Sequence, residues 1–143
     1  MQNTKHDWLI VFGVCAILFL TVLLTGCTAK TIYNDPGGRV STYAKEVYRL
    51  QHNGVKIKLS GYCASACTMY LALPKEQYCL YEGTTLWFHA AYGGSPLGNF
   101  QVTMAMFKLY PNWVQYWIMA NGGLSNQTLV MPYKYSKQFT NRC

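Results

Sequence analysis

The chain has 143 residues and a formal net charge of +7, because 12 Lys and Arg outnumber 5 Asp and Glu. This length suits a single domain. The positive charges are scattered rather than gathered into a stripe, which argues against a nucleic-acid-binding protein, and we expect neither nucleic acid nor a cofactor as a partner.

An apolar run of 17 residues, Trp8 to Leu24, follows Lys5 and ends at Leu24-Thr25-Gly26-Cys27. Its length suits either the apolar part of a signal peptide or an uncleaved membrane anchor. The final tetrad resembles a bacterial lipobox, in which cleavage before Cys27 exposes that residue for lipidation. We therefore expect residues 1–26 to be a lipoprotein signal peptide or anchor. Residues 27–143 form an exported domain on this reading, held at the membrane by a lipid or a helix.

If the cell is Gram-negative, this domain lies in the periplasm. Thr28, directly behind the lipobox, then resembles the pattern that sorts lipoproteins to the outer membrane.

Four cysteines follow Cys27 in the exported part, Cys63, Cys67, Cys79 and Cys143. Outside the cytoplasm they favour two disulfides, with three pairings open. Zinc is disfavoured because Cys63-x3-Cys67 has no second close pair and only His52 and His89 could join it. We predict a Cys67–Cys79 disulfide, because the chain reverses between these residues, and this choice leaves Cys63 for Cys143.

The first half of the exported domain alternates strand and helix patterns. Strands are predicted at 31–33 and 55–60, and helices at 39–52 and 66–73, with Gly-rich turns between them. Parallel strands joined by right-handed crossovers follow from this alternation. The predicted fold class is therefore α/β.

The second half is less regular. Strands are predicted at 79–82 and 84–89, a loop at 90–99, and helices at 100–110 and 112–120. The tail from Leu124 to Cys143 has no clear period. Four aromatic residues lie at helical spacing, which favours the core or a partner surface over a substrate groove. They are Tyr110, Trp113, Tyr116 and Trp117.

The segment Gly61-Tyr62-Cys63-Ala64-Ser65-Ala66-Cys67 lies where the strand at 55–60 gives way to a helix. A Ser at such a corner is held in a tight turn, next to helix N–H groups that have no intrahelical partners. Those donors and the helix dipole can stabilise an oxyanion, which makes Ser65 a candidate nucleophile. The alternative is a turn of small residues in which Ser65 only caps the helix.

Three pieces of the chain together resemble the Clp-protease/crotonase superfamily, and closely its periplasmic Clp-like branch, which is related to signal-peptide peptidases. They are the turn Asp35-Pro36-Gly37-Gly38, the Ser65 corner and the strand Gly83 to His89. The family has a Ser-Pro-Gly-Gly turn, a Gly-x-x-Ala-Ser corner and a strand that ends in His. The match covers about residues 31 to 92.

The resemblance implies a site residue by residue. Ser65 is the nucleophile, His89 is the general base, and the backbone N–H groups of Gly38 and Ala66 form the oxyanion hole.

The chain departs from the family in two ways. The family's third triad member, an Asp, has no counterpart, because no acid follows Glu82. Asn126 or Gln138 could orient the His instead, and the further alternatives are a Ser-His dyad or a lysine base, Lys56 or Lys58. The family's strands before the Gly-Gly turn also lack a counterpart, so we expect a partner or a second copy of the chain to cover the open sheet edge.

Two functions are consistent with these observations. The first is a membrane-anchored serine hydrolase that acts on a peptide or protein outside the cytoplasm. The second is a non-catalytic lipoprotein that holds a peptide or an envelope partner along its sheet edge.

Overall fold

The computed structural model describes residues 28–143. The apolar run Trp8–Leu24 and the lipobox residue Cys27 lie outside the described residues. Within residues 28–143, no helix is both long enough and apolar enough to cross a membrane.

Six strands in this part of the chain form one mixed sheet around β2. They are β1 (Ala29–Asp35), β2 (Lys56–Ala64), β3 (Tyr78–Leu80), β4 (Thr85–Phe88), β5 (Leu129–Met131) and β6 (Asn141–Arg142). Strand β2 pairs in parallel with β1 along one side and with β3 and then β4 along the other. Strand β6 adds in parallel to β3, whereas β5 is antiparallel to β4. The predicted α/β class with parallel strands is confirmed.

The helices are α1 (Val40–His52), a 3₁₀ helix (Ser65–Ala72), α2 (Pro96–Leu109), α3 (Asn112–Ala120) and α4 (Tyr133–Ser136), with a short 3₁₀ turn at Lys75–Gln77. The predictions at 39–52 and 112–120 are confirmed to within one residue. The helix predicted at 66–73 is present, but it winds as a 3₁₀ helix.

The loop predicted at 90–99 is wrong in its last part, because α2 begins at Pro96. Proline suits the first helical position, since its fixed φ matches the helix and its missing N–H would have no partner there. Ser95 caps this helix, and its hydroxyl accepts a hydrogen bond from the Gly98 N–H at 3.2 Å. Composition alone suggested a loop, whereas the Ser-Pro pair is a helix start.

The core lies between one face of the sheet and the helices. Alternate side chains of β2 and β4 are fully buried there, namely Ile57, Leu59, Leu86 and Phe88. Strand β4 turns Thr85 and Trp87 to its other, half-exposed side. His89 directly follows the strand and continues the same alternation, so it lies on the same side as Thr85 and Trp87. It is half-buried there and within reach of solvent.

The aromatic residues at 110–117 pack mainly inside the protein. Tyr110 is buried, Trp113 stacks on Phe139 with ring centroids 5.0 Å apart, and Trp117 lies 6.1 Å from Tyr135. These contacts hold the C-terminal tail against α3. Tyr116 is the exception and is exposed.

The structure contains two disulfides between the four predicted cysteines, but the predicted pairing is wrong. Cys63 pairs with Cys67 and Cys79 with Cys143, at Cα separations of 5.4 and 5.1 Å. Strand β6 adds next to β3, so Cys143 arrives beside Cys79 and its N–H donates to Leu80 O. The sharp turn at Ser65 brings Cys63 and Cys67 together. Neither the β6 pairing nor the sharpness of that turn is visible in the sequence.

Replacing Cys79 and Cys143 together by Ala should destabilise the tail and the whole domain. The bond closes a loop with a sequence separation of 64, so its loss should lower the free energy of unfolding by about 4 kcal/mol. Urea unfolding measures this loss, and amide hydrogen exchange in 129–143 should rise. The matched pair Cys63→Ala and Cys67→Ala should leave exchange in the tail unchanged. An unaltered unfolding curve for the Cys79 and Cys143 variant would contradict the prediction.

Candidate active site

A cleft of about 730 Å³ opens beyond the carboxyl ends of β2 and β4. One wall comes from the turn at 36–41 and the other from residues 91–106. Ser65, His89 and Gly38 all line this cleft, so the structure brings together three of the four site residues that the resemblance implied. The fourth, Ala66, is buried directly behind Ser65.

Ser65 stands at a sharp turn from strand to helix. It follows the last residue of β2, begins the 3₁₀ helix, and has a φ of +54°. An L residue with positive φ is uncommon, and such strained residues cluster at functional sites. Ser65 is half-buried between two buried alanines, so the turn lifts its side chain out of the core and onto the cleft. This strand–turn–helix geometry is that of a nucleophile elbow.

Two sets of contacts hold the Ser65 turn from within the protein. The Cys63–Cys67 disulfide spans it, with both cysteines buried. The Thr68 hydroxyl donates a hydrogen bond to Ser65 O at 2.6 Å and lies 2.7 Å from the Tyr110 hydroxyl. Since the Thr68 proton goes to the Ser65 carbonyl, Tyr110 must be the donor to Thr68. Burial raises the pKa of Tyr110 to about 12, so it keeps this proton at neutral pH.

The Gly-Gly turn lies directly against the Ser65 turn. Gly37 has a φ of +82°, and a Cβ there would lie 2.9 Å from both Ala66 N and Ser65 Cβ. Only glycine therefore permits this close approach. The approach places the next residue, Gly38, beside Ser65 on the cleft.

The acid of this turn, Asp35, holds the turn in shape. Its Oδ1 accepts a hydrogen bond from Gly37 N–H at 2.8 Å, and both carboxylate oxygens accept from the Tyr43 hydroxyl at 2.7 and 2.9 Å. Burial and the neighbouring Asp35 carboxylate raise the pKa of Tyr43 well above its usual range. Because Asp35 engages the N–H of Gly37, the N–H of Gly38 is the donor that this turn leaves for an oxyanion.

Two backbone N–H groups of this region have no acceptor of their own. Gly38 lines the cleft, and its N–H has no hydrogen-bond partner among residues 28–143. Ala66 is the second residue of the 3₁₀ helix, where an N–H has no acceptor within the helix. Ala66 is buried and does not itself line the cleft, so the oxyanion hole that the resemblance implied stays a prediction.

His89 is oriented by a backbone carbonyl. Its Nδ1 lies 2.7 Å from Ala90 O, and a carbonyl can only accept, so Nδ1 carries the proton in this bond. Nε2 is then the ring nitrogen left to take a proton from Ser65. In a Ser-His-Asp triad a carboxylate makes the corresponding contact.

Neither of the amides that could orient His89 forms a hydrogen bond with it within residues 28–143. Asn126 is exposed, and Gln138 is exposed and donates to Lys134 O. The orienting contact comes instead from the residue after His89. Any residue at position 90 offers the same carbonyl, so the sequence carries no signal for it.

The alternative of a lysine base, Lys56 or Lys58, is disfavoured by distance along β2. Lys58 sits in the middle of β2, where it pairs with Thr31 and Cys79. It precedes Ser65 by seven residues, a distance of about 23 Å along a strand, and Lys56 is farther still.

Strand register brings Ser65 and His89 to the same edge of the sheet. Ala64 pairs with Trp87 at the end of the parallel β2–β4 ladder. Ser65 directly follows this ladder, His89 comes two residues after Trp87, and both line the cleft. No hydrogen bond joins Ser65 to His89 within the described part of the chain. Catalytic contacts of this kind often tighten only when substrate binds.

No protein-family model matches the chain, and no curated protein matches it. Solved structures do match. The ClpP1 N165D mutant from Listeria monocytogenes superposes with a TM-score of 0.57 and 18% identity, covering 88% of this chain and 78% of that one. The fold is Clp-protease-like. A second structure, described as that of an enzyme, superposes with a TM-score of 0.56 and 8% identity over 89% of this chain and 82% of the other.

At these identities the likeness establishes the fold, and the site rests on the geometry above. The predicted Clp-like fold is confirmed. A cleft beyond the carboxyl ends of parallel strands is also where open α/β sheets in general place their ligands.

Sequence reasoning missed the residues that support the site. Asp35 is predicted in the turn without a role for its carboxylate, although Asp before Pro-Gly is a typical signal for a side chain that bonds its own turn. Thr68 and Tyr110 are placed in predicted helices. Their contact joins residues 42 positions apart, which no local pattern reveals.

Replacing Thr68 by Val should slow the reaction of Ser65 with a fluorophosphonate by about tenfold, because the Ser65 carbonyl loses a buried donor. The matched variant Thr68→Ser keeps the hydroxyl and should react at nearly the rate of the unaltered protein. The extent of labelling, measured in samples quenched at a series of times, gives both rates. Thermal melting checks that both variants are folded. Equal rates for Thr68→Val and the unaltered protein would show that this hydrogen bond does not position the nucleophile.

Proposed function

We propose that this protein is a membrane-anchored serine hydrolase of the exported compartment, and specifically a peptidase. Ser65 is its nucleophile and His89 its general base. The observation that carries this proposal is the left-handed turn at Ser65, which presents the residue on a cleft shared with His89 and Gly38.

The geometry supports an acyl-transfer mechanism. The Ser65 hydroxyl attacks the peptide carbonyl while His89 Nε2 takes its proton. Negative charge develops on the carbonyl oxygen, where the N–H groups of Gly38 and Ala66 stabilise it. His89 then protonates the leaving amine, and water, activated by the same His, releases the acyl group from Ser65.

The carbonyl of Ala90 influences the rate of this reaction through His89. It fixes the His89 ring through Nδ1–H, as the carboxylate of a triad does. A carbonyl bears only partial negative charge, so it stabilises the imidazolium formed during attack less than a carboxylate would. We therefore propose a slow hydrolase.

We also propose that the domain is exported and attached to a membrane. Two disulfides suit an oxidising compartment such as the periplasm. The lipobox at Cys27 supplies a lipid that would hold the domain at the membrane, with the outer membrane favoured in a Gram-negative cell. The Clp-protease-like fold is compatible with a homo-oligomer.

A second function is favoured by one observation. Within residues 28–143, Ser65 and His89 form no hydrogen bond with each other, and His89 has no carboxylate partner. Both features suit a Clp-like lipoprotein that has lost catalysis and holds a peptide along its cleft or along the open edge of β1.

A fluorophosphonate probe should label the unaltered protein at Ser65, and the Ser65→Ala variant should not be labelled. His89→Ala should lower the labelling rate at least about 100-fold, because it removes the general base. The matched control is His52→Ala, since His52 is an exposed histidine on α1 away from the cleft. Absence of labelling in the unaltered protein would favour the binding function, and equal labelling of Ser65→Ala would exclude Ser65 as the nucleophile.

Replacing Cys27 by Ser should abolish incorporation of a labelled fatty acid and leave the protein at its precursor size. Cys15→Ser is the matched control, because Cys15 lies in the apolar run ahead of the lipobox, and this variant should be processed and lipidated normally. Metabolic labelling followed by electrophoresis measures both properties. Unchanged size and unchanged fatty-acid incorporation in Cys27→Ser would rule out lipidation at this residue.

A further inference from the structure

The cleft carries one permanent charge, and that charge is positive. Among the residues that line the cleft, Arg39 is the only Lys, Arg, Asp or Glu. The wall formed by 91–106 contains no acid, and neither does any other part of 83–143. Apolar side chains, Val40, Val102 and Met106, form much of the remaining surface.

Arg39 has no partner in the described part of the chain. The other two arginines are both paired, Arg49 with Glu46 and Arg142 with Glu82, each at 2.9 Å. Asp35 is the acid closest to Arg39 in sequence, but Tyr43 and Gly37 N–H already occupy its carboxylate. The guanidinium of Arg39 is therefore exposed, charged and free to bind an anion.

The side chain of Arg39 also does not stabilise the helix that it precedes. It is the N-cap residue of α1, and its side chain makes no capping hydrogen bond. A cation at the N-terminus of a helix lies next to the positive end of the dipole, which is unfavourable. The first turn of α1 contains no acid that would offset this repulsion. A negatively charged ligand bound to Arg39 would offset this repulsion.

The position of Arg39 relates it to the reacting bond. It follows Gly38 directly, and both residues line the cleft together with Ser65. An arginine side chain extends about 6 Å or more from its Cα, so a group one or two residues from the scissile carbonyl lies within its reach.

We propose that the cleft selects acidic peptides, with Arg39 binding a substrate carboxylate close to the scissile bond. This inference rests on the proposed function for its cleavage step, but not for the binding step. The guanidinium would hold the carboxylate through two parallel hydrogen bonds. The carboxylate comes from an Asp or Glu side chain or from the carboxyl terminus of the peptide, and the chemistry of recognition is the same for both.

The test uses tetrapeptide coumarylamides in which each position in turn is Glu or Gln, since these side chains are nearly equal in shape and differ in charge. The full-length protein should prefer Glu at one position by about tenfold in kcat/KM. Arg39→Gln should bring this ratio close to one. Lys45→Gln is the matched control, because it removes the same charge from an exposed site on α1 outside the cleft, and it should retain the ratio.

A second arm is independent of catalysis. Fluorescein-labelled hexapeptides with Glu or Gln at each position, and with a free or an amidated carboxyl terminus, are titrated into the Ser65→Ala protein by fluorescence anisotropy. Preference for Glu at an internal position identifies a side-chain carboxylate, whereas preference for the free over the amidated terminus identifies a terminal one. The variant that carries both Ser65→Ala and Arg39→Gln should lose the preference.

The outcomes separate the two proposals. If the protein neither labels with a fluorophosphonate nor cleaves, but binds acidic peptides through Arg39, the hydrolase fails and this inference stands. The inference is overturned if Glu and Gln peptides behave alike in both arms. It is also overturned if the preference survives Arg39→Gln, or if Lys45→Gln reduces it equally, because net charge would then explain it.

Discussion

The site depends on a backbone conformation at Ser65 that an isolated chain would avoid. A left-handed residue other than glycine costs about 1–2 kcal/mol, so its neighbours must hold it in place. Here a disulfide spans the turn, a buried pair of hydroxyls binds the Ser65 carbonyl, and a glycine turn packs against its backbone. These three contacts come from β2 itself, from the end of α2 and from the turn after β1. Ser65 is thus held in place by three separate parts of the domain.

The scarcity of acids explains how the rest of the site is arranged. The one acid in the Gly-Gly turn, Asp35, secures that turn through Gly37 N–H and Tyr43, so it cannot serve the histidine. No acid follows Glu82, and a main-chain carbonyl orients His89 instead. The same scarcity leaves Arg39 uncompensated at the mouth of the cleft. The absence of a carboxylate at His89 and the positive charge of the cleft therefore have one common origin in the composition of the chain.

The fold tolerates the small number of acidic residues because the backbone, rather than charged side chains, positions the site. Parallel pairing of β2 with both β1 and β4 brings the Gly-Gly turn, Ser65 and His89 to the same edge of the sheet, whatever the side chains elsewhere. A solved structure with 18% identity superposes on 88% of the chain, which indicates that strand order and turn geometry persist where sequence does not. The chemistry at the edge can vary on such a scaffold.

The sequence by itself determined the parts of the protein that depend on neighbouring residues. Alternation defined β2 and β4, helical spacing defined α1 and α3, and the glycines and the Ser corner marked the two turns of the site, because these signals act within a few residues. Tertiary structure alone decided which cysteines pair, what orients His89, and that Tyr110 supports Ser65 through Thr68. Each of these contacts depends on how distant segments pack. Cys143 meets Cys79 across a separation of 64 residues only because β6 adds to β3, and no local pattern specifies that strand order.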